Sequence, residues 1–147
     1  MPRSPKEPRV PVNPPSPFTW PVRVYWEDTD AGGVVYHASY LRFLERARSE
    51  WLRAHGVDQS ALREATGLAF MVRSMQLDFL RPALLDDELS VTVDVKEWRA
   101  ASILFGQAIG RADGTELVRA QVRVACVDLR RMRPAPIPAD LIPGLDL

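Results

Sequence analysis

The sequence predicts one α+β domain in which a curved antiparallel sheet holds a single long apolar helix against its concave side. Three observations carry this. The chain has 147 residues, a length that suits one compact domain with a sizeable core. One long segment, residues 39–54, has the period of an amphipathic helix, and its apolar stripe needs a broad surface to pack on. Segments of β character surround it, and the later ones follow each other through short connections, which favours antiparallel pairing.

The first strand is expected at residues 20–26, where Trp20, Val22, Val24, Tyr25 and Trp26 supply β-branched and aromatic side chains. Asp28, Asp30, Gly32 and Gly33 break it, and the paired glycines permit a tight turn. In the helix, Tyr40, Leu44, Ala47 and Trp51 recur at helical spacing, flanked by Leu41, Phe43 and Leu52. Arg42, Glu45, Arg46, Arg48, Glu50 and Arg53 fill the other positions. Ser39 reads as the N-cap and Gly56 as the stop signal. A short second helix is expected at 59–66, ending at Gly67. Strands follow at 68–80, 89–96, 102–111 and 116–128, with Asp113-Gly114 as a hairpin turn between the last two. In the last strand Val118, Ala120, Val122, Val124 and Cys126 share one face.

The two ends read differently. Residues 1–19 carry Pro2, Pro5, Pro8, Pro11, Pro14, Pro15 and Pro17, and proline lacks an amide donor, so a disordered or extended arm is expected. The domain is expected over 20–138 and an irregular tail over 139–147.

Composition narrows the function. Lys plus Arg equal Asp plus Glu at 19 each, so no global basic field supports binding to nucleic acid or to a membrane surface. No apolar run approaches the ~20 residues of a spanning helix, and the N-terminus lacks a signal-peptide core, so a cytoplasmic location is expected. The single cysteine, Cys126, excludes an intrachain disulfide and reads as a small buried hydrophobe.

Chemistry concentrates between the first strand and the long helix. Residues 25–40 hold Glu27, Asp28 and Asp30, one of the two histidines (His37), two glycines and several hydroxyls. A helix start offers unpaired amides and a positive dipole end to a developing oxyanion. A nearby carboxylate can serve as general base or nucleophile. Acids and glycines also populate ordinary turns, so capping or solvation competes for Glu27 and Asp28, and packing competes for His37. His55, at the helix end, reads as a partner for the C-terminal dipole.

The run Glu27-Asp28-Thr29-Asp30-Ala31-Gly32-Gly33-Val34-Val35-Tyr36-His37-Ala38-Ser39-Tyr40, with Leu44-Glu45-Arg46-Ala47-Arg48, resembles the 4-hydroxybenzoyl-CoA thioesterase family, and most closely its Tol-Pal-associated acyl-CoA thioesterase branch. Phe79-Leu80-Arg81-Pro82-Ala83, Asp86-Asp87-Glu88-Leu89, Lys96-Glu97-Trp98 and the segment 122–128 continue the likeness in order over about residues 20 to 138. The resemblance implies a hotdog fold, a five-stranded sheet wrapped around the helix, and dimers or tetramers formed through sheet edges with active sites at the dimer interface. It implies an acyl-CoA hydrolase that uses no metal and no cofactor, CoA being part of the substrate. It maps the catalytic carboxylate onto Asp30, with Tyr36 and His37 matching the helix entrance.

On that basis amides near Gly33, Val34, Val35 and Tyr36 are expected to meet the thioester oxygen. Asp30 attacks the carbonyl or deprotonates a water, and the sequence leaves both routes open. Arg99, and after it Arg73 and Arg81, are candidates for the CoA phosphates, each competing with a plain solvated charge. Acyl carrier protein is an alternative bearer of the acyl group. Two rival readings stay open: a hydratase or dehydratase using Asp30 and His37 as a pair, and a non-catalytic partner of acyl carrier protein.

Overall fold

The structure is a computed structural model and describes residues 7–11 and 17–145. Its elements run β1 (Phe18–Arg23), α1 (Ser39–Ala54), α2 (Gln59–Thr66), β2 (Leu68–Phe79), β3 (Glu88–Arg99), β4 (Ser102–Arg111), β5 (Glu116–Asp128) and β6 (Arg133–Pro134). The strands form one sheet in the order β1-β3-β4-β5-β2, every neighbour antiparallel, with the two-residue β6 added to β5. This is the arrangement that the resemblance implies: five strands curled around α1.

Period-2 patterning decides which face carries the core. Leu89, Val91 and Val93 of β3, Ile103, Phe105 and Ile109 of β4, and Val118, Ala120, Val122, Val124 and Cys126 of β5 are all buried. Tyr40, Phe43, Leu44, Ala47, Trp51 and Leu52 of α1 are buried with them in one cluster. Trp51 meets Phe105 edge-on at 5.1 Å between ring centroids. Each such side chain contributes about 1.5–3 kcal/mol on burial, which fixes the helix inside the sheet's curve. Leu41, on the flank of the stripe, is exposed.

Three local expectations are corrected. The first strand ends at Arg23 rather than 26, because Trp26–Asp28 turns into one 3-10 turn that the Asp28 carboxylate closes on the Tyr25 amide at 2.8 Å. The N-cap of α1 is Ala38, not Ser39, whose hydroxyl instead donates to the Asp28 carbonyl at 3.3 Å. Arg48 is buried although the other arginines of the helix, Arg42, Arg46 and Arg53, are exposed. The tail after β5 is irregular in backbone yet returns Ile137 and Ile142 to the core.

The expected arm, 1–19, lies partly outside the described residues. Within them, β1 already starts at Phe18, and Arg9 exchanges backbone hydrogen bonds with Trp98 at 2.7 and 2.8 Å. No helix among the described residues is long and apolar enough to cross a membrane.

Cys126 is fully buried, and burial pushes its thiol pKa up. A thiol reagent such as DTNB is therefore expected to find no reactive group in the folded protein and one after denaturation. Rapid labelling of the native chain would contradict this placement.

Candidate active site

The loop between β1 and α1 is folded as a miniature hairpin. Thr29 and Val35 bridge, with Asp30 N–H donating to Val34 O at 2.9 Å and Tyr36 N–H donating to Asp28 O at 2.8 Å. Gly33 closes the turn at φ +80, a conformation that a side chain would strain. The Gly32 amide donates to Asp30 Oδ1 at 2.8 Å, and a Cβ at Gly32 would come within 3.1 Å of that oxygen. The loop therefore holds the Asp30 carboxylate by one oxygen and leaves the other without a donor among the described residues. Asp30 itself is exposed.

The hairpin is tied to the core on two sides. Val35 N–H donates to Ala83 O at 2.9 Å, and the buried Tyr40 hydroxyl accepts from Ala83 N–H at 3.0 Å. The loop, the segment after β2 and the first turn of α1 are thus one unit. Asp28, only 3% exposed, lies beneath with Arg42 at 3.6 Å. Its role is to hold the turn.

Tyr36 and His37 follow at the helix entrance, both exposed, their rings 4.4 Å apart between centroids and tilted by 52°. The backbone gathers Asp30, Gly33, Val34, Val35, Tyr36 and His37 within one turn-and-helix junction. Not every amide there is available. Gly33 donates to Asp30 O, Val35 to Ala83 O and Tyr36 to Asp28 O. From Gly33 to Tyr36 only the Val34 amide lacks an acceptor among the described residues, and beyond them the amides of His37 and Ala38 at the helix mouth also lack one. The oxyanion donors expected across Gly33 to Tyr36 narrow accordingly.

The three candidate phosphate arginines are scattered. Arg81, exposed, donates to Glu116 O at 3.3 Å and lies at the same end of the sheet as the loop. Arg73 is exposed at a register shift between Val72 and Ser74 in the edge strand β2. Arg99 sits at the β3–β4 hairpin, the opposite end of the sheet from Asp30. A single chain therefore does not bring Arg99 to its own loop. His55 behaves as expected, its Nδ1 lying 2.8 Å from Trp51 O at the end of α1.

One polar pair lay outside the expectation. Gln107 follows Ile103 and Phe105 on the apolar face of β4, and its Oε1 accepts from the buried Arg48 at 2.9 Å. The signal was legible: a glutamine in the apolar register of a strand needs a partner there, and Arg48 lies one turn beyond Leu44 on the stripe.

With this geometry, comparison with known proteins is decisive. The thioesterase-like superfamily matches residues 24–145. The chain belongs to that family. It is 50% identical to the acyl-CoA thioester hydrolase YbgC of Escherichia coli O6:H1 over 125 residues, 85% of this chain and 92% of the relative. The acyl-CoA thioesterase YbgC of Haemophilus influenzae is 50% identical over 124 residues, 84% of this chain and 90% of that protein. Among solved structures, a probable thioesterase from Bartonella henselae superposes with TM-score 0.79 at 36% identity, over 84% of this chain and all of the other. A 1,4-dihydroxy-2-naphthoyl-CoA thioesterase from Synechocystis gives 0.78 at 28% identity, over 84% and 90%. As a member of this superfamily the protein is an enzyme with a hotdog fold.

Proposed function

We propose that the protein hydrolyses acyl-CoA thioesters to the free acid and CoA, with Asp30 as the reacting carboxylate. The observation that carries this is the Asp30 side chain, held by the Gly32 amide at one oxygen and open at the other, beside helix-entrance amides that have no acceptor among the described residues. The relatives named for acyl-CoA hydrolysis support the substrate class.

The thioester carbonyl carbon meets either Asp30 itself or a water that Asp30 deprotonates. In the first route an acyl-aspartyl anhydride forms, the CoA thiolate leaves, and water hydrolyses the anhydride. In the second, water adds directly and the thiolate leaves from the tetrahedral adduct. Either way the carbonyl oxygen gains charge in the transition state. The Val34 amide and the positive end of α1 stabilise that charge more than they stabilise the ground state. His37 orients the thioester or the water, and Tyr36 bounds the acyl group.

The site is completed by a second copy. β2 is the open edge of the sheet opposite β1, twelve residues long, and Met71, Val72, Phe79 and Leu80 beside it are exposed. Antiparallel apposition of two such edges about a two-fold axis sets the loop end of one copy against the hairpin end of the other. This is where Arg99 becomes useful: it reaches the other copy's loop, and is our choice for a CoA phosphate.

Thiol release from a panel of short, medium, long and aromatic acyl-CoAs, with acyl carrier protein thioesters beside them, tests the reading. Turnover of at least one acyl-CoA is expected, and none on any member by folded protein would end it. Glutamate at both Met71 and Val72 is expected to yield monomers by sedimentation and to lower turnover about tenfold or more, through like-charge repulsion across the edge. A dimer with full activity would overturn the edge assignment.

A further inference from the structure

Arg48 is the one charged side chain of α1 that is buried, at 6% exposure. One terminal nitrogen donates to Gln107 Oε1 at 2.9 Å, and Gln107 is fixed in turn by donating to Leu44 O at 3.1 Å and Thr92 O at 3.3 Å. The guanidinium has Nε and a second terminal nitrogen left over, with no acceptor recorded among the described residues. No side-chain nitrogen there is sealed off without a partner, so these donors open on accessible space. Arg48 borders a cavity of about 170 Å³ between the two helices and the sheet, together with Leu52, Phe70, Phe105 and Val124. Burial lowers the Arg48 pKa, and Glu45 partly offsets this through its charge. Glu45 borders the same cavity from an exposed position on the helix, so water screens it.

The cavity lies beside Phe70 and Val72, near the start of β2. Its own chain's Asp30 loop lies beyond the other end of that strand. Two copies joined through their β2 edges bring each loop to the other's cavity. We propose that this cavity is the acyl subsite, and that Arg48 selects short acyl chains ending in a carboxylate. The inference rests on the thioesterase reading and on the edge-to-edge pair. Its chemistry is that of a desolvated fork of donors. A methyl-terminated chain fills the apolar walls and leaves those donors unmet, whereas a terminal carboxylate accepts from both and brings a counter-charge less screened than Glu45. The small volume confines the choice to short chains.

The test is binding to Asp30→Asn protein, which separates this inference from the hydrolytic one because no turnover is needed. Titration calorimetry with succinyl-CoA and butyryl-CoA compares chains of the same length that differ at the end group. Succinyl-CoA is expected to bind about tenfold tighter or more, and Arg48→Gln in the same background to abolish that preference. Arg48→Lys, which keeps the charge, is expected to retain part of it. Equal affinities for the two thioesters would overturn the proposal. So would Arg48→Gln weakening both alike, the result expected if Arg48 only ties α1 to β4 through Gln107. Melting curves and sedimentation of each variant confirm that the folded pair is being titrated.

Discussion

Asparagine in place of Asp30 is expected to lower kcat for thiol release by about two orders of magnitude or more, equivalent to at least ~2.7 kcal/mol of transition-state stabilisation. The substitution isolates charge from shape. The Gly32 amide can still donate to an amide oxygen at the position of Asp30 Oδ1, and the hydrogen bond from Asp30 N–H to Val34 O is backbone. The miniature hairpin therefore survives, and the variant should melt with wild type. What disappears is the anion's charge, which either proposed route needs, as nucleophile in one and as base in the other. A variant that folds and turns over at the wild-type rate would remove Asp30 from the chemistry. His37→Ala in parallel gives scale: an orienting imidazole that does not react should cost less.

Truncating Phe43 to alanine is expected to destabilise the chain by about 3–5 kcal/mol, the range for emptying an aromatic site in a packed core. Phe43 is 0% exposed and packs edge-on against Tyr40, the residue whose hydroxyl holds Ala83 and through it the Asp30 hairpin. The loss would be a large share of the ~5–15 kcal/mol that ordinarily separates folded from unfolded chains. Guanidinium unfolding should show a reduced midpoint, and thiol release should fall at temperatures where Asp30→Asn protein is still fully folded. Leu41→Ala, on the exposed flank of the same helix, is expected to change stability by less than about 1 kcal/mol. Similar losses at the two sites would mean that α1 is not held as described.

The elements legible in the sequence were those whose pattern and whose burial agree. α1 spans 39–54, β4 spans 102–111 and β5 spans 116–128, as periodicity and the Asp113-Gly114 turn predict. Residues 20–26 misled because Val24, Tyr25 and Trp26 have strand propensity, while Asp28 three residues on makes a tighter local bond to the Tyr25 amide. Ser39 looked like a cap from its type alone, but its hydroxyl finds the Asp28 carbonyl. Within the site, the Asp30 loop was visible as a cluster of acids and glycines, and the family resemblance singled out Asp30 as the carboxylate to test. Which amides are already committed was not visible, since it depends on Ala83 and Asp28, and on a register no spacing rule supplies. The inward turn of Arg48 was hidden by its neighbours: among Arg42, Arg46 and Arg53 it reads as one more solvated charge.

The two borders of the sheet are unequal, and this bears on how copies can add. β1 is six residues long, contains Pro21, and follows Pro17. Past its start, Arg9 takes the backbone groups of Trp98. A proline in so short a border strand makes a poor template for a newcomer. β2 offers twice the length and no proline. A ribbon receptive along only one side cannot be extended in both directions. In the proposed edge-to-edge pair, growth through that side stops once two molecules have met, which blocks the open-ended stacking by which other sheet proteins become fibres.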